Sequence, residues 1–210
     1  MADLEALAAA IEAGDRATAT AITREAVAEG VDPRSVLEAM TKAMEVIGHK
    51  FQCNEIYVPE MLISARAMKE ATAILEPVLT AAGIRPEHTA VNGTIKGDLH
   101  DIGKNLMAMM WRGANIEVVN LGTNVRPEAF VAAAKEHKTS LVGVSALLTT
   151  TMVGMKDVVA AVRAADLGDV KVIVGGAPVT AEYAASIGAD GYAPDAASAV
   201  EAAKTAVGMA

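Results

Sequence analysis

Thr89-Ala90-Val91-Asn92-Gly93-Thr94-Ile95-Lys96-Gly97-Asp98-Leu99-His100-Asp101-Ile102-Gly103-Lys104-Asn105 decides the fold. Thr89–Thr94 reads as a strand, Gly97–Gly103 as a glycine-bearing loop, and Lys104–Arg112 as the helix that follows. The same alternation repeats four more times. Strands are expected at Glu117–Leu121, Leu141–Ser145, Val170–Val174 and Gly191–Tyr192. Helices are expected at Pro127–His137, Thr151–Ala164, Ala181–Ile187 and Ala196–Val207.

Five βα units imply a parallel, doubly wound sheet. Right-handed crossovers favour the flavodoxin-like strand order 2-1-3-4-5, with ligands bound at the carboxyl ends of the strands, where the first and third diverge. Two loops should meet there. One is Gly97–Asn105; the other is Ser145-Ala146-Leu147-Leu148-Thr149-Thr150-Thr151. The fourth strand runs into Gly175-Gly176-Ala177 beside them. An imidazole, several hydroxyls and a pair of glycines therefore face one crevice.

Upstream, the period changes. Gly83 and Pro86 break the pattern, which places a domain boundary between residues 1–85 and 86–210. The first part is helical throughout. Leu4, Leu7, Ala8 and Ile11 form one stripe, and Ala19, Ile22 and Ala26 a second, behind Asp15 as a cap. Val36, Met40, Ala43, Met44 and Ile47 form a third, behind Asp32-Pro33. Met61, Leu62, Ala65, Met68, Thr72 and Leu75 form a fourth, after Pro59. Four such helices suggest a four-helix bundle.

Composition excludes several function classes. The net charge is −8. Residues 1–83 carry 7 Lys and Arg against 13 Asp and Glu, and residues 84–210 carry 11 against 13. No basic patch marks a nucleic-acid partner. Cys53 is the one cysteine, so neither an internal disulfide nor a cysteine-built zinc cage is available. The acidic start Met1-Ala2-Asp3-Leu4-Glu5 lacks a signal-peptide pattern, and no apolar run approaches a membrane span. A soluble protein of the reduced cytoplasm is expected.

The loop after the first strand fits neither common nucleotide motif. Five residues separate Gly97 from Gly103 where a phosphate-binding loop has four, and Asn105 follows Lys104 where it has Ser or Thr. No G-x-G-x-x-G is present. A lone histidine in such a loop is ordinarily structural or solvated. The wider pattern favours another reading: Asp98-x-His100-x-x-Gly103, then Ser145, then Gly175-Gly176, each after an expected strand.

That set resembles the corrinoid-binding module of cobalamin-dependent methionine synthase and the small methyl-carrying corrinoid proteins of methylotrophic methanogens and acetogens. The similarity spans nearly the whole chain; in the helical part it includes Val58-Pro59 and Ser64-Ala65-Arg66. It implies cobalamin or a related corrinoid as cofactor, with His100 as the lower cobalt ligand. Asp98 is then the partner of the other ring nitrogen, and Thr151 stands where the family has a serine extending that relay. The nucleotide tail lies beside Ser145, Leu147, Thr149, Gly175, Gly176 and Ala196. Asp101 is a second carboxylate near the cofactor or an ordinary helix-start residue. Phe51, Val58, Met61 and Leu62 cover the methyl-bearing face, or simply form bundle core.

The resemblance further implies a methyl carrier with no catalytic residue of its own. Its partners are a substrate-specific methyltransferase, an acceptor methyltransferase using folate or a thiol, and a reductive activase. Two other classes share the module: a cobalamin-sensing regulator and the cobalamin subunit of a radical mutase. The acidic helical part argues against the first, and the absence of a large substrate barrel against the second.

Overall fold

The computed structural model describes residues 2–209. They group into two compact units: one of residues up to Pro86 together with Gly113–Asn115, the other of the remainder.

The first unit is four helices: α1 (Leu4–Glu12), α2 (Arg16–Ala28), α3 (Pro33–Gln52) and α4 (Val58–Ala81). Aspartates start three of them. Asp3 accepts from the Ala6 N–H, Asp15 from the Thr18 N–H and Asp32 from the Arg34 N–H, each satisfying an amide that the first turn leaves free. α4 starts differently: the Glu60 carboxylate reaches back to the Tyr57 N–H at 3.1 Å. α2 packs on α4, α1 on α3, and α3 on α4.

α3 buries its whole expected stripe, Val36, Met40, Ala43, Met44 and Ile47; the other three helices bury part of theirs and add small residues. Small residues take the closest contacts: Ala10 in α1, Thr23 in α2, and Ser64, Ala67 and Ala71 in α4 are buried. Leu4, Ala8, Ile22, Leu62 and Thr72 are only half-buried. With no aromatic side chain buried among this unit's described residues, the short buried residues fill the space between Leu7, Ile11, Met40, Met61 and Leu75, which are themselves fully buried. The two buried hydroxyls are satisfied locally, Thr23 donating to Ala19 O at 2.7 Å and Ser64 to Glu12 O at 3.0 Å. α4 also continues through Pro77 to Ala81, because Leu75 and Leu79 on either side of the proline are both buried.

The second unit holds five strands: β1 (His88–Thr94), β2 (Ile116–Asn120), β3 (Leu141–Ser145), β4 (Lys171–Gly175) and β5 (Gly191–Ala193). Every pairing is parallel and the order is β2-β1-β3-β4-β5, as the sequence implied. The helices are α5 (Ile102–Gly113), α6 (Pro127–His137), α7 (Thr149–Met152), α8 (Met155–Ala164), α9 (Ala181–Ser186) and α10 (Ser198–Val207). The inner strands bury nearly all of their residues, with Val91, Val142, Val144, Val172, Ile173 and Val174 among them, and so make a sheet buried on both faces.

Two glycines set how closely the helices lie on that sheet. A Cβ on Gly93 would stand 2.8 Å from Phe130 Cζ of α6, and one on Gly143 would stand 2.8 Å from Trp111 Cη2 of α5. The chain's one tryptophan and one of its two phenylalanines thus lie directly over bare backbone. The Trp111 indole N–H donates to Ala199 O at 2.8 Å, tying α5 to α10.

Two expected helices are corrected. The stretch expected as Thr151–Ala164 is split into α7 and α8 around Val153-Gly154, because its first turn is drawn toward a buried carboxylate described below. α10 begins two residues later than expected, at Ser198. Asp195 turns the chain ahead of it, its Oδ1 accepting from the Ala197 and Ser198 amides at 2.9 and 2.8 Å.

Candidate corrinoid site

β1 ends at Thr94, and Gly97, at φ +85°, turns the chain so that Asp98 points inward. Asp98 is completely buried, yet every lone pair it offers is used. Its Oδ1 accepts from the His100 backbone N–H at 3.0 Å and lies 2.8 Å from His100 Nδ1. Its Oδ2 accepts from the Leu147 and Leu148 amides at 2.8 and 3.3 Å and from the Thr151 hydroxyl at 2.8 Å. The Thr151 Oγ1 also lies 3.0 Å from Leu148 O. A hydroxyl has one proton, and the shorter contact to a charged acceptor takes it.

Burial alone would raise the Asp98 carboxyl. The donors from Leu147, His100 and Thr151 outweigh it and hold the group well below the usual carboxylate range. A carboxylate that stays ionised keeps the proton of His100 on Nδ1. Nε2 is then left with a free lone pair, and the ring is 53% exposed.

The His100 backbone is held as well. Thr94, itself fully buried, donates its hydroxyl to His100 O at 2.8 Å and lies 3.1 Å from the Ser145 hydroxyl. Ser145 therefore acts on the histidine loop through Thr94, a residue the motif does not contain.

Beside the ring opens a cavity of about 210 Å³. His100, Gly103, Ser145, Leu147, Gly175, Gly176 and Ala196 all line it, as do Met107, Pro194 and Asp195, which sequence reasoning did not single out. Thr149 lies exposed at the start of α7, and Thr151 serves Asp98; neither lines the cavity. Asp101 is exposed, and its carboxylate accepts from the Asn105 side-chain amide at 2.9 Å.

Lys104 is 3% exposed and donates to Asn105 Oδ1 at 2.6 Å and Asn120 Oδ1 at 2.7 Å. Burial pushes its ammonium down, against the pull of Asp101. In the helical unit, Met61 is fully buried, while Phe51, Val58 and Leu62 are half-buried; their roles toward a cofactor rest on the resemblance.

The glycines divide into two kinds. A Cβ on Gly175 would stand 2.5 Å from Ala193 O, and one on Gly176, at φ +125°, would run into the Ala146 carbonyl. Strand packing demands both, ligand or not. Around Gly103 nothing lies within 4 Å of that position, so the space beside His100 is open there.

These residues fit a flat macrocycle that carries its own metal. Among the described residues no three His, Cys, Asp or Glu side chains gather into a protein-built cage. A single imidazole with a free Nε2 suits a metal whose remaining positions the cofactor fills. Leu99 and Ile102, on either side of His100, are 73% and 75% exposed. Leu147 and Leu148, from the loop that holds Asp98, and Val153, just after α7, are exposed too. Apolar side chains collected in two adjoining loops make a surface that water does not favour and a corrin ring would cover.

Residues 88–201 match the model of the B12 binding domain, and residues 3–76 match a second model of the same description. The chain belongs to the B12-binding family. It is 39% identical to a corrinoid protein of Desulfitobacterium hafniense over 99% of both chains. It is likewise 39% identical to trimethylamine corrinoid protein 2 of Methanosarcina acetivorans, over 92% of this chain and 91% of the relative. The methanol:cobalamin methyltransferase complex MtaBC of Methanosarcina barkeri holds a chain that superposes with a TM-score of 0.85 at 27% identity, covering 99% of this chain and 80% of that one. A cobalamin-binding protein from Desulfitobacterium hafniense superposes with a TM-score of 0.82 at 28% identity, covering 98% and 99%. As a B12-binding protein the chain takes a corrinoid as its cofactor. No described helix is long and apolar enough to cross a membrane.

Proposed function

We propose that this B12-binding protein is a methyl carrier. It accepts a methyl group from a substrate-specific methyltransferase and delivers it to a second methyltransferase whose acceptor is folate or a thiol. A reductive activase is its third partner. The observation that carries the reading is the His100 ring: Nδ1 locked by Asp98, Nε2 free, half the side chain open.

When bound, the corrinoid's cobalt supplies the methyl-transfer chemistry, as a cobalt(I) nucleophile toward a donor and a methyl source toward an acceptor. The chain's own residues do the rest. His100 Nε2 would ligate the cobalt. Asp98 fixes its tautomer and ring orientation, and Leu147, Leu148 and Thr151 keep Asp98 ionised. Ser145, Gly103 and Ala196 line the space for the nucleotide tail. Leu99, Ile102, Leu147 and Leu148, exposed around His100, would keep water from the bound ring.

The relatives named for trimethylamine and the MtaBC likeness support a methyltransferase partner. The test is reconstitution: protein loaded with corrinoid and reduced is mixed with candidate methyltransferases and methylamines, methanol, methoxylated aromatics or quaternary amines. A cognate pair should change the corrinoid absorbance stoichiometrically, and only when both enzyme and donor are present. Absorbance that responds to no pair, or methyl transfer to an acceptor by this chain alone, would contradict the carrier role.

A further inference from the structure

The turn between β2 and α6 grips the histidine loop from the side opposite Thr151. Its outer part is an extension of the sheet: the Thr94 N–H donates to Gly122 O at 3.0 Å, the Val125 N–H to Thr94 O at 2.9 Å, and Ile95 bridges Val125. Those bonds already fasten the turn to β1. Asn124 makes two more that do something else. Its Oδ1 accepts from the Gly97 N–H at 2.8 Å, and its own N–H donates to Asp98 O at 3.0 Å. Neither bond belongs to the sheet ladder. Both end on the two residues that lead into Leu99-His100.

Asn124 holds a left-handed backbone, φ +56°, the conformation that Asn and Asp tolerate best among residues with a side chain. That backbone aims the N–H at Asp98 while the short side chain reaches Gly97. Gly97 is itself left-handed, at φ +85°, so its amide depends on an acceptor outside its own strand. Asp98 is consequently held at both ends. The β3–α7 loop saturates its carboxylate; the β2–α6 turn fixes its peptide.

We propose that Asn124 is a positioning residue for the lower cobalt ligand, setting how readily the His100 imidazole stays bound or lets go. The inference rests on His100 being that ligand. Loss of the Asn124 acceptor frees the Gly97–Asp98 peptide to rotate, and the carboxylate that orients the ring moves with it. No atom of Asn124 needs to touch the cofactor.

The experiment compares wild type, Asn124→Gly, Asn124→Asp and His100→Ala, each loaded with cobalamin and reduced to cobalt(II). Asn124→Gly keeps the left-handed backbone and removes the acceptor; Asn124→Asp keeps both. The ratio of imidazole-bound to imidazole-free cobalt is read from the spin-resonance spectrum. It should fall about two- to tenfold in Asn124→Gly, the range of one net hydrogen bond, and return to near wild type in Asn124→Asp. In cofactor-free protein, amide exchange should quicken at Gly97 and Asp98 while the rest of the sheet and the Tm are unchanged. An unchanged ratio in Asn124→Gly, with the imidazole signal lost in His100→Ala, overturns the role of Asn124 alone. A lowered Tm with exchange quickened across the sheet reduces Asn124 to a fold-stabilising residue and overturns it as well. An imidazole signal that survives in His100→Ala overturns the ligand assignment and this inference with it.

Discussion

His100 places two donors on one oxygen of Asp98: its backbone N–H at 3.0 Å and its ring Nδ1 at 2.8 Å both meet Oδ1. A two-residue loop thus closes on itself before any cofactor arrives, and the ring orientation is set by a carboxylate that cannot turn without breaking five contacts. Asp98→Asn keeps the size but puts an amide where donors already point. It should fold, lose about 2–3 kcal/mol of stability from the charge-assisted bonds, and shift the balance between bound and released imidazole roughly 10–100-fold. Denaturant melts of the free protein and visible spectra of the loaded protein check the two effects separately.

Acid should expose the same group. The folded pKa of Asp98 lies below its unfolded value of about 3.9. Its contribution is therefore complete above that value and disappears as pH falls toward the folded pKa. Stability of wild type should drop more steeply below about pH 4 than that of Asp98→Asn, whose side chain does not titrate. Parallel acid-limb slopes in the two proteins would contradict the depressed pKa.

Thr151 tests the hydroxyl by itself. Thr151→Ser retains the donor to Asp98 Oδ2 and should match wild type in stability and spectrum. Thr151→Val keeps the shape, removes the donor, and should cost about 1–2 kcal/mol while loosening the imidazole. Equal behaviour of Ser and Val would place the hydroxyl outside the relay.

The two kinds of glycine predict opposite outcomes. Gly176→Ala forces a side chain into the Ala146 carbonyl at φ +125° and should cost about 3 kcal/mol or more, or prevent folding. Gly103→Ala meets nothing and lies in the first turn of α5. It should stabilise the cofactor-free protein by about 0.4–1 kcal/mol yet weaken corrinoid binding, because its methyl enters the open space beside His100. Thermal melts and corrinoid titrations distinguish them.

Much of this was legible in the chain. The alternation of short apolar runs with helical stretches gave the strand order, because parallel strands with right-handed crossovers leave few alternatives. The Asp98–His100–Gly103 spacing located the crevice. Legibility failed where backbone atoms do the work. The Leu147 and Leu148 amides that hold Asp98 have no side-chain signature; Leu147 reads only as a neighbour of the nucleotide tail, and Leu148 only as apolar. Thr94 looked like the end of a strand, yet its hydroxyl joins Ser145 to His100 O. Asn124 declares itself only through a left-handed φ. The break between α7 and α8 does have a signal in the sequence, Gly154 behind the weak helix formers Thr149, Thr150, Thr151 and Val153, and the bond from Thr151 to Asp98 fixes the short first turn there. In the helical unit the α3 stripe is legible in full, Val36, Met40, Ala43, Met44 and Ile47 all being buried; what escapes reading are the small buried residues Ala10, Thr23, Ser64, Ala67 and Ala71, which carry little hydrophobic signal.

The central claim is that His100 Nε2 ligates cobalt. The most direct measurement is the spin-resonance spectrum of the cobalt(II) cobalamin-loaded protein, prepared once with ordinary histidine and once with ¹⁵N-labelled histidine. The account predicts a nitrogen coupling that changes with the label and disappears in His100→Ala. A spectrum indifferent to both the label and the substitution would show that another base lies beneath the metal.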